Sequence, residues 1–138
     1  MTSCPLCETE SENVLWSDAR CRVILVDDPD YAGFCRVIWE AHVKEMTDLA
    51  AADQSHMFAV VLAVEAQLRE LMQPAKINLA SLGNQVPHLH WHVIPRFTDD
   101  AHFPDPVWAA RKRKAAPRDI DVFRLAQGLA AKLDAMGV

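Results

Sequence analysis

The sequence predicts an α+β domain: an antiparallel sheet of about five strands, one long helix after the first hairpin, and a closing helix. Three observations lead there. Five segments (13–17, 20–27, 34–40, 76–82 and 88–96) are short and rich in β-branched or apolar residues. The second and third flank Asp28-Pro29-Asp30-Tyr31-Ala32-Gly33, a run of turn formers that reads as the loop of a hairpin. Helical spacing is confined to the stretches before Pro74 and after Asp119.

Taken in order, 13–17 reads as a short edge strand, Arg20 to Asp27 as the next, and Phe34 to Glu40 as its return. Thr47 and Asp48 look like helix-start residues, and Asp53 is the expected cap of the longer helix. Met57, Val60, Val61, Val64, Leu68 and Leu71 recur at helical spacing and mark its buried face; Pro74 ends it. Lys76 to Leu82 is a strand, Gly83 to Pro87 a loop, and His88 to Arg96 a strand. Phe97 to Arg118 is rich in proline and charge and is expected to wrap the surface, with its basic run Arg111–Lys114 read as solvated loop. Ile120, Phe123, Leu125, Ala126, Leu129 and Leu133 give the closing helix its apolar stripe.

A length of 138 residues with 51% hydrophobic content fits one domain with a real core. A formal charge of -5 argues against nonspecific nucleic-acid binding, which needs a cationic surface. The start shows no basic region followed by an apolar one, and the longest apolar run, Met57–Val64, is too short to span a bilayer. The expectation is a cytoplasmic protein with no membrane partner. In that compartment Cys21 and Cys35, set in strand-like segments, read as small buried hydrophobes. Cys4-Pro5-Leu6-Cys7 has the spacing of a metal or redox pair.

The chemistry concentrates in His88-Leu89-His90-Trp91-His92. In a strand, side chains alternate, so the three imidazoles share one face while Leu89, Trp91 and Val93 share the other. A His-rich solvent face is one reading, although alternation alone would accept Thr, Lys or Glu there. A metal site and a nucleophilic imidazole are the two functional ones. Asn78, Ser81, Gly83, Asn84 and Gln85 just upstream supply groups able to hydrogen-bond phosphate oxygens. No carboxylate lies within the triad and the nearest downstream are Asp99 and Asp100, which weakens the metallohydrolase reading.

His88-Leu89-His90-Trp91-His92-Val93-Ile94 resembles the histidine triad (HIT) signature, and so do Pro95-Arg96, the preceding Gly-Asn-Gln-Val-Pro loop and the order of elements from Cys4 to Trp108. The resemblance implies a HIT domain over 1–108, with 109–138 an extension and helix packed on it. It implies a homodimer acting on a small-molecule nucleotide, such as a diadenosine polyphosphate or a phosphoramidate, by hydrolysis or nucleotidyl transfer. His90 would be the nucleophile that forms a covalent nucleotidyl intermediate. His92 would contact a phosphate or leaving-group oxygen, and His88 would orient the nucleophile, partly through its backbone carbonyl. Asn78 and Gln85 resemble α-phosphate ligands, with Asn84 a further candidate; turn or strand-end hydrogen bonding competes for each. Asp27 resembles the residue that binds the ribose hydroxyls, and Asp28 is its alternative. No catalytic cofactor is implied. A structural zinc is, through Cys4, Cys7, His42 and His88, against a plain reading of two free thiols and a surface histidine. His56 and His102 are left to surface or packing roles.

Two departures stand out. Ala32-Gly33-Phe34 replaces the family's common Pro-Gly-His, so Phe34 either lines a base pocket or packs the core. Trp39 stands near where a proline is common. They keep open a zinc-stabilised nucleotide-binding or interaction module with little turnover.

Overall fold

Alternation along five strands decides which residues meet the helices. The computed structural model describes residues 4–138; residues 1–3, included above in the search for a leader, lie outside them. The elements are β1 (Asn13–Ser17), β2 (Cys21–Leu25), β3 (Cys35–Trp39), a 3-10 turn at Met46–Asp48, α1 (Ala51–Met72), β4 (Lys76–Ala80), β5 (His90–Arg96) and α2 (Val122–Ala135). They form the predicted α+β fold, one five-stranded sheet in the order β1-β2-β3-β5-β4 with every neighbouring pair antiparallel. β5 is thus paired on both sides. No helix among the described residues is long and apolar enough to cross a membrane.

Both helices cover one face. Cys21, Val23, Cys35, Val37, Trp39 and Val93 pack against Met57, Val60, Val61, Val64 and Leu68 of α1 and Leu125, Leu129 and Leu133 of α2. Each side chain that is fully buried there contributes about 1.5–3 kcal/mol. The opposite face carries Arg22, Ile24, Arg36, Ile38, His90, His92, Ile94 and Arg96. Leu6 of the N-terminal segment covers Ile24 and Ile38. Tyr31, Phe34 and Ile94 form a third cluster beneath Val107.

Two helix-start expectations shift. Thr47 and Asp48 belong to the separate 3-10 turn, where Asp48 accepts from the Glu45 backbone at 2.9 Å. α1 begins at Ala51 with Ala50 as its cap residue, and Asp53 lies inside the first turn, 3.1 Å from Arg20. An acidic side chain is favoured beside the positive helix end at either position, so spacing alone does not separate cap from first turn. The helix ends on Gln73 in the left-handed region (φ 50°), one residue before Pro74.

The 97–118 segment wraps the sheet and is held by charge. Asp100 and Arg96 are both nearly inaccessible, and Asp100 accepts two bonds from Arg96 at 2.7 and 3.1 Å. It also accepts from the backbone of Phe97, His102 and Phe103. Burial disfavours its charge, but Arg96 and those three N–H groups outweigh burial and hold the carboxyl well below its usual range. Three residues of the basic run are partnered: Arg111 pairs with Asp30, Lys112 with Asp105, and Arg113 donates to the Asp100 carbonyl.

The contrast between buried and exposed pairs gives a test. Asp100→Ala leaves Arg96 buried without its counter-charge and should lower the unfolding free energy by about 3–5 kcal/mol. Asp99→Ala, which breaks the half-exposed pair with Arg118, should cost under about 1 kcal/mol in the same urea titration.

Candidate active site

Sheet register brings the site together. On β3, Arg36 lies opposite His92 and Ile38 opposite His90; on β4, Ala80 lies opposite His92. The His90 and His92 rings stand edge to face with centroids 4.9 Å apart.

The expectation that all three histidines lie in one strand needs correction. β5 begins at His90, so His88 and Leu89 precede it. Pro87 has no N–H for a ladder, and Leu89 exchanges its backbone bonds with the 39–43 loop, donating to Val43 and accepting from Trp39. The His88 backbone and ring therefore do different things. Its carbonyl accepts a 2.6 Å bond from His90 Nδ1. Its Nε2 donates to the Trp39 carbonyl at 2.6 Å, which leaves Nδ1 with a free lone pair.

Because a carbonyl can only accept, His90 carries its proton on Nδ1 and its lone pair on Nε2. Nε2 has no protein hydrogen-bond partner among the described residues and is not an enclosed atom, although the residue is only 7% exposed. Burial, reinforced by the nearby Arg36 charge, lowers the ring's pKa and keeps it neutral. In His92 burial, followed by His90 and Arg36, pushes the pKa down to about 4. Arg36 Nε donates to His92 Nδ1 at 3.4 Å, which places the His92 proton on Nε2. One ring thus presents a lone pair at Nε2 and its neighbour an N–H donor at Nε2.

Aromatic groups frame the pair. Phe34 meets His92 edge-on at 5.7 Å and is itself 4% exposed, packed with Tyr31 and Ile94, so it belongs to the core as well as the site wall. Trp108, half exposed, meets the same ring at 5.2 Å.

The expected substrate ligands are spread around this centre. Asn84 and Gln85 are exposed on the loop leading into His88, and Gly83 supplies that loop's left-handed turn (φ 78°). Asn78 borders a cleft of about 580 Å³ that Trp108 also lines, with its Oδ1 accepting from Arg96 at 2.8 Å. Asp27 is exposed just past β2 and lines a second cleft of about 470 Å³ with Ser11, Asn13 and Arg118. Asp28, the alternative, accepts from the Asp30 backbone in a turn. Asn78 and Asp27 thus lie in different clefts. Arg36 was not among the expected site residues, although a charge inside Cys35-Arg36-Val37-Ile38-Trp39 was a visible irregularity.

A second cluster joins residues far apart in the chain. Cys4 Sγ and Cys7 Sγ lie 3.4 and 3.5 Å from His88 Nδ1, His42 Nδ1 lies 3.2 Å from it, and Cys7 Sγ is 3.5 Å from His42 Nδ1. A tetrahedral zinc, with bonds of about 2.0 Å to nitrogen and 2.3 Å to sulfur, holds its ligand atoms roughly 3.3–3.8 Å apart. The His88 tautomer directs its lone pair inward, with its other nitrogen bonded to a carbonyl as metal-bound histidines require. The set fits zinc. Among the described residues, the metal-capable clusters do not include His90 or His92. His56 is buried against Asp18 at 2.7 Å, and His102 bonds Tyr31. Cys21 and Cys35 are fully buried, and burial pushes both thiols up to about 12.

A family model for the HIT domain matches residues 8–99. The structure is similar to a histidine triad protein from Bradyrhizobium japonicum, with 28% identity, a TM-score of 0.71, and 89% of this chain and 91% of that one covered. It is similar to a HIT protein from Sinorhizobium meliloti 1021, with 29% identity, a TM-score of 0.70 and coverage of 88% and 90%. A zinc-bound histidine triad family protein from Mycobacterium smegmatis shares the fold at 22% identity, with a TM-score of 0.57 and coverage of 91% and 86%. No curated protein matches the sequence.

The depressed pKa of His92 has a sign. Unfolded, the ring titrates near 6.5; folded, near 4, so the unfolded state binds more protons between those values. Its contribution is fully present above pH 6.5 and is lost as pH falls towards 4. From pH 7 to pH 5 His92→Gln should lose about 1–2 kcal/mol less stability than wild type in urea titrations. Parallel losses would show that the ring protonates freely in the folded protein.

Proposed function

Because this chain belongs to the HIT domain family, we propose that it cleaves the bond between a nucleoside monophosphate and its leaving group through a covalent nucleotidyl intermediate on His90. The observation that carries the reading is the 2.6 Å bond from His90 Nδ1 to the His88 carbonyl, which leaves the opposite nitrogen free for attack.

His90 Nε2 attacks the α-phosphorus; the N–P bond forms as the bond to the leaving group breaks. The ring then carries positive charge, and its Nδ1–H remains directed at the negative end of the His88 carbonyl. His92 Nε2–H donates to a phosphate or leaving-group oxygen. Water, or another acceptor, then attacks phosphorus and loses its proton to solvent, while the N–P bond breaks and its electron pair returns to His90 Nε2. Two displacements replace one difficult step, and positioning supplies most of the acceleration. Asn84, Gln85 and Asn78 would bind phosphate and Asp27 the ribose. The scheme uses no catalytic cofactor.

Zinc would be held by Cys4, Cys7, His42 and His88. When bound, it would anchor the N-terminal turn to the sheet and fix the backbone of His88, which aims the nucleophile. Buried, unpaired thiols at Cys21 and Cys35, with Cys4 and Cys7 given to zinc, accord with a reducing, cytoplasmic setting. A homodimer is supported by Phe58 and Leu62 on α1 and Leu79 on the edge strand β4, which are exposed apolar residues on the helix-covered side. The second reading, a binding module with little turnover, is favoured by Phe34 alone, an apolar group at the wall of the phosphate site.

Incubation with adenosine 5′-phosphoramidate and a diadenosine polyphosphate should release AMP, and His90→Asn should reduce the rate on the order of 10³-fold or more. Intact-mass analysis should show an AMP adduct in wild type that disappears in His90→Asn. AMP binding without release or adduct would favour the module. Purified protein should contain stoichiometric zinc, and chelation should lower the Tm by more than about 5 °C. A metal-free protein with an unchanged Tm would remove the zinc assignment.

A further inference from the structure

Arg36 is placed unlike the other arginines packed against this sheet. Among the described residues Arg22 pairs with Glu12 and Glu40, and Arg96 with Asp100, but Arg36 meets no carboxylate within salt-bridge distance. Glu12, the acidic group that does influence it, is already held by two bonds from Arg22. The Arg36 side chain is half buried, with its guanidinium 5.8 Å from the Phe34 ring centre. Its Nε is spent on His92, and neither Nη has a protein acceptor among the described residues. Keeping an unpaired cation partly out of water costs stability, and an apolar residue would suit a strand reading Cys-x-Val-Ile-Trp better. The free edge of the fork adjoins the ring that flanks the nucleophile.

We propose that Arg36 is the anion-recognition residue of this site, its free Nη groups gripping a phosphate of the nucleotide held at His90 and His92. The assignment rests on the nucleotide reading above. It adds a contact that the histidine segment does not contain. A guanidinium is always charged and presents paired donors matched to phosphate oxygens. Charge-assisted bonds there are strong because the site is largely shielded from water. Through Nε the same side chain keeps the His92 proton on Nε2, so phosphate binding and donor orientation are joined in one residue.

The test compares AMP with adenosine by isothermal titration, in wild type, Arg36→Gln and Arg36→Lys. Arg36→Gln should weaken AMP binding by about tenfold or more, the size of a lost charged hydrogen bond. Adenosine binding should change by less than about twofold, because adenosine carries no phosphate for the residue to grip. Arg36→Lys, which keeps charge but loses the fork, should fall between them on AMP alone. Should Arg36→Gln not fold, the lysine variant's AMP-to-adenosine ratio decides. Unchanged AMP affinity in both variants overturns the proposal, as does an equal loss for AMP and adenosine, which would make Arg36 a packing residue or a base contact. Wild type that binds no AMP and turns over no AMP conjugate would instead sink the nucleotide reading itself.

Discussion

The hydrogen bond from His90 Nδ1 to the carbonyl of His88 is the constraint from which the site follows. A carbonyl has no proton to offer, so the bond settles the tautomer of His90 without any charged partner. It also ties the ring to backbone that cannot move independently. That backbone is held on one side by Leu89, bonded to Val43 and Trp39, and on the other by the His88 ring against the Trp39 carbonyl. The Cys4, Cys7 and His42 cluster meets the remaining nitrogen of that ring. Two segments distant in sequence, 4–7 and 39–43, thus converge on the aim of one imidazole.

The two faces of the sheet divide the work. One is filled by α1 and α2 and is predominantly apolar. The other holds cations and imidazoles, which could not be buried without partners. Arg22 is neutralised by Glu12 and Glu40 and Arg96 by Asp100, and these pairs fasten the N-terminal and 97–118 segments across the sheet. The histidines between them avoid the same cost by remaining neutral. Burial lowers the pKa of both rings and favours their neutral forms, as the proposed attack by His90 would require, while Arg36 directs the proton of His92.

Strand composition, turn formers and helical spacing were sufficient to read the five strands and two helices, because each is a local property of consecutive residues. Boundaries were less legible where competing local signals have similar energies. Asp53 could cap a helix or sit in its first turn, and the choice fell to Ala50 once Arg20 was available to pair with it. The strand read from His88 begins two residues later because Pro87 and the 39–43 loop withdraw the backbone from the ladder. The alternation of imidazoles was visible in the spacing, whereas the approach of the His88 ring to sulfur and of its carbonyl to His90 was expected only through the family resemblance.

The sequence by itself determined the elements, the apolar stripes of the two helices, and the presence of three closely spaced imidazoles, since these depend on neighbours along the chain. Tertiary structure alone decided the strand order, which inserts β5 between β3 and β4 and so sets Arg36 beside His92, 56 residues away. It alone separated Asn78 from Asp27 into different clefts and brought Cys4 and Cys7 to His88. Pairing register and through-space charge are set by long-range closure of the sheet, and no local pattern encodes which distant strand will lie alongside another.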